Sequence, residues 1–430
     1  MHKYHDEKFI GIKAENSIEY LITVSAAMRF GIAPVLFSTR WTKKECVEIQ
    51  SRFQLGGIIE QNDLEEICAE DEWKYSENIE LQSHITSELT EDKPALVVFT
   101  SGSTGSAKGV VTSFGNIFSS VHNSDSFDNY TTNDNFISSL PFYHIGGIMI
   151  FFRALLCGAE LTVVSPHTER IITQIERDRP SIISLVPTQL NRIINQGIKP
   201  NKKLRSVYIG GGPSESELIT KALNKNWPIV KVYGSTETTS MISAVSGEEL
   251  KKNTSSSGRV FEKMKVSIAN QNSSGSGEIC ISGQTLSKGY FDPSRENKMD
   301  LIGTKYISGD FGFIKDGLLF IESRRSDIVL SGGENINIIE VENALLKLNY
   351  IGDCSVFSLP DDEWGQIVCA AVVSDNNSKL DLERIKLDLQ AIISSYKIPK
   401  KIFCVESIPR TELGKVDLHK MKTNLNLDEV

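Results

Sequence analysis

Short apolar runs alternate with amphipathic stretches through roughly the first three-fifths of this 430-residue chain. The apolar runs are rich in β-branched residues, which favour buried strands, and the stretches between them repeat apolar residues at helical spacing. The strands predicted on this basis are 95–99, 160–164, 181–186, 205–210 and 229–234, and the helices between them are 167–179 and 214–226. Because parallel strands need a crossover that is usually helical, this alternation predicts an α/β fold with parallel sheets.

The sequence changes character near Gly247, where Gly- and Ser-rich connectors separate two short alternating segments. These segments, 265–269 and 277–283, predict strands of a small β-subdomain over about 255–323. We therefore expect a large N-terminal domain at 1–323 that includes this subdomain.

A second succession of elements begins near Arg325 and has the length of an independent domain. The elements predicted there are a helix at 334–348, strands at 354–360 and 368–374, a helix at 380–396 and a strand at 400–409. This order predicts a small α+β domain at 327–430, and the charged segment between the domains predicts a hinge near 324–326.

The charge balance limits the class of partner. The 55 acidic side chains outnumber the 46 Lys and Arg side chains, for a formal net charge of −9. Nucleic-acid binding depends on many Lys and Arg contacts to phosphates, so a nucleic-acid partner is not expected. The first residues lack the apolar run of a signal peptide, and the apolar segment 145–157 is interrupted by Gly146, Gly147 and Arg153. We expect a cytoplasmic protein without membrane insertion, whose seven scattered cysteines are reduced.

The most specific chemical signal is the segment VVFTSGSTGSAKGV, at 97–110. A predicted strand runs directly into alternating hydroxyl and glycine residues that end at Lys108. Glycines let backbone N–H groups converge, and hydroxyl groups add donors, so the loop suits the phosphates of a nucleotide. It lacks the spacing of the common P-loop. The loop residues predicted to bind the nucleotide are Thr100, Ser101, Gly102, Ser103, Thr104, Gly105 and Lys108.

This loop, together with the segments described below, resembles the adenylate-forming acyl-CoA ligases, the ANL superfamily. The resemblance covers nearly the whole chain. It implies an enzyme that joins a small carboxylic acid to coenzyme A through an acyl-adenylate, with ATP, Mg²⁺ and coenzyme A as cofactor and co-substrates. It also implies a layered α/β N-terminal domain and a mobile α+β C-terminal domain, and it is compatible with a homo-oligomer.

The segment VYGSTET, at 232–238, resembles the part of the family's site that holds adenine and metal. The resemblance implies that Tyr233 and Gly234 contact adenine, that Thr236 acts near the α-phosphate and that Glu237 helps to hold Mg²⁺. A hard carboxylate oxygen beside phosphates is what Mg²⁺ requires. Taken alone, the same residues would suit a strand-to-helix turn with a capping Thr.

The segment IGGGPSES, at 209–216, resembles the backbone wall on the other face of adenine. The resemblance implies that Gly211, Gly212 and Pro213 form this wall. Taken alone, the segment would also suit the start of a helix, since Pro and Ser are common there.

Two later segments resemble the family's ribose site and the crossover between its domains. In YISGDFG, Asp310 matches the carboxylate that grips the ribose hydroxyls, and in ESRRSDIVLSGGE, Arg324 matches a second ribose contact. Gly332 and Gly333 border the implied path of coenzyme A. The sequence departs from the commonest pattern by having Ser323 in place of Gly and Ser326 at the hinge, which leaves the hinge position open.

Two further residues are candidates for the chemistry. Lys415, in RTELGKVDL, matches the family's adenylation lysine, whose charge would offset the approach of a carboxylate to the α-phosphate. His144, in LPFYHIGG, matches a histidine that lines the acyl pocket and contributes to catalysis there. Taken alone, Lys415 would be a surface lysine and His144 a partly buried histidine, and the absence of a neighbouring His or Cys argues against a metal at His144.

Three segments, 139–161, 184–193 and 208–213, resemble most closely the o-succinylbenzoate–CoA ligases of menaquinone biosynthesis, a branch of the family. The substrate of that branch is a diacid, so its second carboxylate needs a cation to offset burial. Arg192 is a candidate for that cation and is equally compatible with a surface position.

Two other functions remain open on sequence alone. One is a different aromatic or medium-chain acyl-CoA ligase, or an enzyme that loads an acid onto a carrier protein. The other is a nucleotide-binding relative without activity. Family members usually begin with some tens of additional residues; we expect activity without them, and a truncated gene product is the alternative.

Overall fold

The computed structural model describes residues 8–69, 90–100, 108–165, 167–177, 180–212, 216–272, 275–291, 299–301, 304–324, 328–331, 334–361, 364–375, 380–393, 395–411 and 414–427. None of the helices found there is long and apolar enough to traverse a lipid bilayer.

The strands, in chain order, are β1 (Phe9–Lys13), β2 (Ala33–Leu36), β3 (Ile58–Glu60), β4 (Pro94–Thr100), β5 (Lys108–Ser113), β6 (Asn135–Ser138), β7 (Glu160–Val163), β8 (Ile182–Leu185), β9 (Ser206–Ile209), β10 (Ile229–Ser235), β11 (Ser240–Ser246), β12 (Arg259–Val260), β13 (Met264–Ala269), β14 (Gly277–Gly283), β15 (Gly289–Phe291), β16 (Met299–Leu301), β17 (Tyr306–Lys315), β18 (Leu318–Arg324), β19 (Ile328–Ser331), β20 (Glu334–Asn337), β21 (Ile351–Asp361), β22 (Gly365–Ser374) and β23 (Lys401–Cys404).

The helices are α1 (Ile18–Arg29), α2 (Lys43–Phe53), α3 (Gln61–Ala69), α4 (Phe114–Asp128), α5 (Ile145–Cys157), α6 (Thr168–Arg177), α7 (Pro187–Asn195), α8 (Ser216–Asn224), α9 (Gly247–Lys252), α10 (Ile338–Leu346), α11 (Leu382–Gln390) and α12 (Leu418–Asn424), with a turn of 3-10 helix at Ser395–Lys397. Local sequence explains several of their starts. For example, Ser113 and Asn116 cap α4 reciprocally, each side chain accepting from the other's backbone N–H.

Two seven-stranded sheets form the larger part of the molecule. The first has the order β16-β15-β5-β4-β2-β1-β3 and the second β12-β11-β10-β9-β8-β6-β7. The strands β4, β2, β1 and β3 run parallel, as do β10, β9, β8, β6 and β7. The predicted α/β fold with parallel sheet is confirmed, and antiparallel strands at one side of each sheet complete it.

Smaller sheets form the rest of the described structure. One has the order β13-β14-β17-β18, β19 pairs with β20, and a three-stranded sheet has the order β21-β22-β23. The strands of segment 255–323, which was predicted to form one small β-subdomain, belong to more than one sheet. β13, β14, β17 and β18 form the four-stranded sheet, whereas β12, β15 and β16 extend the two large sheets.

Two helix predictions in the C-terminal region are wrong at their ends. The helix expected at 334–348 begins only at Ile338, because Asn337 caps it by accepting from Ile339 N–H at 2.9 Å. The four residues before it form β20, which pairs antiparallel with β19. The helix expected at 380–396 ends at Gln390 and is followed by a separate 3-10 turn.

Apolar side chains of the helices and strands bury themselves in several separate cores. One lies around the first sheet and includes Tyr20, Leu96 and Phe142, and another lies around the second sheet and includes Trp227 and Ile193. The C-terminal elements have cores of their own. Burial of this kind is the main favourable term in folding, so each set of elements has its own source of stability.

The chain divides into two compact units. The first comprises Met1–Ser267, Cys280–Ser308 and Ile314–Phe320, and the second Ile268–Ile279, Gly309–Phe313 and Ile321–Val430.

A partly buried ion pair joins the starts of two strands of the second large sheet, with Asp134 just before β6 and Arg205 just before β9. Arg205 donates to both carboxylate oxygens of Asp134, at 2.9 and 2.8 Å, and Ser181 Oγ donates to Oδ1 at 2.7 Å. The side chain of Asp134 is only 5% exposed. Burial by itself would raise the pKa of Asp134, but the hydrogen bonds from Arg205 and Ser181 outweigh burial and hold the pKa well below its ordinary value.

Replacing Asp134 with Asn should destabilise the folded protein by about 2 kcal/mol at neutral pH, because Arg205 loses a buried partner. The folded-state pKa lies below the unfolded one, so the contribution of Asp134 is present above about pH 4 and is lost as the pH falls further. Urea unfolding at pH 7 and near pH 3 checks this. The difference between Asp134→Asn and the wild type should shrink at acid pH, whereas Glu248→Gln, which removes an exposed pair with Lys251, should have no measurable effect at either pH.

Candidate active site

The loop predicted to bind phosphates connects two antiparallel strands. β4 and β5 pair so that Thr100 lies opposite Lys108, and Thr100 Oγ1 donates to the Lys108 carbonyl oxygen at 3.4 Å. The two ends of segment 101–107 are therefore held next to each other, unlike the strand-to-helix arrangement of a common P-loop. The predicted contacts at Ser101, Gly102, Ser103, Thr104 and Gly105 lie outside the described residues.

The segment predicted to hold adenine and metal also lies in a hairpin. β10 ends at Ser235 and pairs antiparallel with β11, which begins at Ser240. Thr238 closes the turn, since its Oγ1 accepts from Ser235 N–H at 2.8 Å and donates to the Ser240 carbonyl oxygen at 2.9 Å. The alternative of a strand-to-helix turn is therefore wrong. Tyr233 and Gly234 lie within β10.

The turn has a close approach at Gly234 and a strained backbone. A Cβ atom on Gly234 would lie 1.9 Å from the Ser240 carbonyl oxygen, so no other residue fits there without movement. Thr239 and Ser240 have φ values of 51° and 83°, a region that β-branched and other non-Gly residues rarely adopt. Strain of this kind persists only where surrounding structure holds it, and it is concentrated at functional sites.

Two side chains that the sequence analysis did not single out hold this turn. Ser120 Oγ, on α4, donates to the Thr239 carbonyl oxygen at 2.6 Å. Arg153, on α5, is buried and donates to Ser240 Oγ at 3.0 Å. In the sequence Arg153 only interrupts an apolar segment, and no local pattern points to its partner.

Glu237, the predicted metal residue, lies in this turn and is 9% exposed. Its Oε1 accepts a hydrogen bond from the Tyr290 hydroxyl at 3.2 Å. The Tyr290 ring in turn lies beneath Lys108, with the ammonium nitrogen 5.4 Å from the ring centroid. The structure thus brings the end of the predicted phosphate loop and the predicted metal carboxylate to the same tyrosine, which the sequence analysis did not identify.

The donor set around Glu237 fits Mg²⁺ better than a metal that requires a full protein cage. No group of three or more His, Cys, Asp or Glu side chains with metal-binding geometry occurs among the described residues. Mg²⁺ is usually bound by one or two carboxylates together with phosphates and water, so a single glutamate beside a phosphate loop is a suitable protein contribution.

The predicted adenine wall follows β9, next to β10. Gly210 N–H donates to the Leu185 carbonyl oxygen at 3.4 Å, and a Cβ atom on Gly210 would lie 2.8 Å from Val232 Cγ2. Gly211 has a φ of +78°, and a Cβ atom on Gly212 would meet no heavy atom within 4 Å. Gly210 therefore permits close packing against Val232 of β10, the strand that carries Tyr233, whereas Gly212 leaves open space beside its backbone. Pro213 lies outside the described residues.

The two predicted acid-binding residues lie in different environments. His144 is the N-cap residue of α5, is half-buried, and its ring centroid lies 4.7 Å from that of Tyr143. Asn16 holds the segment before it, since it donates to the Leu140 carbonyl oxygen at 2.8 Å and accepts from Phe142 N–H at 2.9 Å. Arg192 is exposed, on the side of α7 opposite to its buried residues.

The remaining predicted residues belong to the second unit. Asp310 is buried within β17. Arg324 ends β18, and its side chain lies outside the described residues. Lys415 is exposed in a tight turn in which Thr411 N–H donates to its carbonyl oxygen at 2.7 Å. Gly332, Gly333 and the hinge residue Ser326 lie outside the described residues.

Comparison with known families gives two matches. Residues 2–291 match the model of the AMP-binding enzyme family, and residues 340–415 match that of the AMP-binding enzyme C-terminal domain.

Individual proteins match over almost the full chain. A 2-succinylbenzoate–CoA ligase from Listeria monocytogenes is 28% identical over 428 residues, which is 97% of this chain and 89% of the relative. The structure of o-succinylbenzoate CoA synthetase from Bacillus subtilis in complex with the acyl-adenylate intermediate is 25% identical, with a TM-score of 0.83 over 96% of this chain and 88% of that chain. The same enzyme in complex with ATP and magnesium ion gives a TM-score of 0.83 over 96% of this chain and 89% of that chain, at 25% identity.

Replacing Gly234 with Ala should destabilise the first unit by about 2–3 kcal/mol, since the added methyl group meets backbone that must move. The measurement is the free energy of unfolding from urea titration. Gly146→Ala is the matched control, because the nearest atom to its Cβ would be Leu140 Cδ1 at 3.4 Å and Ala is favoured over Gly within a helix. Equal stability of the two variants would contradict the close approach at Gly234.

Proposed function

Because the chain belongs to the AMP-binding enzyme family, we propose that it is an AMP-forming acid–CoA ligase that converts o-succinylbenzoate, ATP and coenzyme A to o-succinylbenzoyl-CoA, AMP and diphosphate. This reaction would place it in menaquinone biosynthesis. The likeness to 2-succinylbenzoate–CoA ligases over 97% of the chain supports the reaction. The main structural support for the site is that Lys108 and Glu237 both contact Tyr290.

In the first step, the acid carboxylate attacks the α-phosphorus of ATP, a P–O bond forms to the acyl group, and diphosphate leaves. Two negatively charged groups approach each other, so preset donors and cations at the reacting atoms lower the barrier. We assign this role to Lys415, with Thr236 at the α-phosphate and Lys108 and the loop from Thr100 at the outer phosphates. Bound Mg²⁺, held in part by Glu237, would neutralise phosphate charge.

In the second step, the thiolate of coenzyme A attacks the acyl carbon, a C–S bond forms, and AMP leaves with the bonding electrons of the acyl–phosphate bond. Resemblance to the family supports a domain at 327–430 that turns about a hinge near 324–326 between the steps. We propose that this motion withdraws Lys415 and admits coenzyme A along a path bordered by Gly332 and Gly333.

The remaining roles follow the same resemblance. We propose that adenine lies between Tyr233 and the wall at Gly211, Gly212 and Pro213, beside Gly234. Asp310 and Arg324 would contact the ribose hydroxyls, and the burial of Asp310 is compatible with a carboxylate that serves two neighbouring hydroxyl groups. A cytoplasmic location is proposed, since the reaction consumes ATP and coenzyme A.

The identity of the acid is tested by coenzyme-A-dependent release of AMP and diphosphate. We expect turnover with o-succinylbenzoate and much less with benzoate or medium-chain fatty acids. In this proposal His144 lines the acid pocket and Arg192 contacts the second carboxylate. Turnover with another acid alone would retain the ligase and reject the pathway. Turnover that requires a carrier protein would indicate a loading enzyme. ATP binding without release of diphosphate with any acid would indicate an inactive relative.

Replacing Lys415 with Ala should reduce adenylation by about 100-fold or more, as does loss of other preset transition-state donors. Thioester formation from supplied acyl-adenylate should change little, because the lysine is assigned to the first step only. Isotope exchange between diphosphate and ATP measures the first step, and release of AMP from added acyl-adenylate measures the second. Lys420→Ala, at another exposed lysine on α12, is the control. Equal losses in both steps would contradict the division of roles.

A further inference from the structure

The short strand β15 connects the two hairpins of the nucleotide site. On one side, Tyr290 pairs with Val110 of β5, and Lys288 N–H donates to the Val111 carbonyl oxygen at 3.0 Å. On the other, Ser287 N–H donates to the Glu237 carbonyl oxygen at 2.8 Å. The backbone of 287–290 therefore holds the turn of Glu237 and the start of β5 at a set separation.

The side chain of Tyr290 makes a second connection between the same hairpins. Its hydroxyl donates to Glu237 Oε1 at 3.2 Å, and the ammonium nitrogen of Lys108 lies 5.4 Å from its ring centroid. The other carboxylate oxygen, Oε2, accepts no hydrogen bond from any described residue. The hydroxyl therefore orients the carboxylate and leaves one oxygen for another ligand.

We infer that Tyr290 is a positioning residue that presents Glu237 to Mg²⁺ and Lys108 to the phosphates of ATP; this rests on the proposed function. A hydrogen bond to a metal-binding carboxylate sets its orientation, and loss of such a bond commonly weakens metal binding about 10–100-fold. An aromatic face restrains a long lysine side chain, whose rotamer entropy would otherwise oppose binding. The hydroxyl and the ring thus have separable effects.

The test is calorimetric titration of ATP into the full-length protein with EDTA and with Mg²⁺. Mg²⁺ is expected to increase the ATP affinity of the wild type, and the Mg²⁺ concentration that gives half of this increase is the quantity compared. Tyr290→Phe removes the hydroxyl alone, so this concentration should rise about tenfold. ATP affinity in EDTA should stay within about twofold of the wild type, because the ring remains over Lys108. Tyr290→Leu also removes the ring and should weaken ATP binding in EDTA by about twofold to fivefold.

Two comparisons separate positioning from a general loss of structure. Tyr350→Phe removes a matched hydroxyl bond, from Tyr350 to Asp388 at 2.6 Å in the second unit, and should leave both titrations unchanged. In a Glu237→Gln background, Tyr290→Phe should cause no further loss of ATP affinity at a fixed Mg²⁺ concentration. If the double variant instead loses as much ATP affinity as the sum of the losses, in free energy, of Glu237→Gln and Tyr290→Phe, the inference is wrong.

The outcomes for the inference and for the proposed function differ. If the wild type binds ATP with an affinity that Mg²⁺ increases, and Tyr290→Phe requires the same Mg²⁺ concentration, the role of Tyr290 is wrong and the proposed function stands. If the wild type does not bind ATP, the proposed function itself fails.

Discussion

The candidate site depends on one constraint: the strands that flank each of its two predicted nucleotide-binding loops pair with each other in antiparallel orientation. A loop rich in Gly and hydroxyl residues has high conformational entropy, and holding its ends on paired strands removes part of that freedom before a ligand binds. The pairing of Thr100 with Lys108 does this for the first loop, and the pairing of Ser235 with Ser240 does it for the second. Backbone hydrogen bonds from residues 287–290, at the start of β15, then join one hairpin to the other.

The second hairpin is held in a conformation that its own residues disfavour. Thr239 and Ser240 have positive φ values, and the hydroxyl of Ser120 and the buried guanidinium of Arg153 hold them from neighbouring helices. Burial removes most of the hydration of the Arg153 guanidinium, which is unfavourable. Its hydrogen bonds to Ser124 and Ser240 replace part of the lost hydration and offset this desolvation energy. The strain at the turn is therefore maintained by the packing of α4 and α5.

Much of the fold follows from local pattern. The five predicted strands of the first three-fifths correspond to β4, β7, β8, β9 and β10, because β-branched apolar runs of that length suit parallel strands. The expected burial is wrong for β7, which lies at the edge of its sheet and has no buried residue. The errors lie at the ends of α10 and α11. At 334–337 the only apolar residue is Ile336, so the apolar pattern did not mark the start of the helix, and pairing with the neighbouring strand β19 decided for the strand.

The sequence by itself determined the family, the order of its motifs and the chemical character of each loop, since these depend on residue types at short spacings. It did not determine that the loop after Thr100 closes a hairpin, that Arg153 supports the turn of Glu237, or that Tyr290 contacts both Glu237 and Lys108. The contacts of Arg153 and Tyr290 join residues far apart in the chain, and a local pattern carries no information about which distant side chain will lie across a sheet. The hairpin joins Thr100 and Lys108, which are only eight positions apart, and its register depends on how β4 and β5 pair. Only the tertiary structure decided them, through strand register and the packing of helices against the sheets.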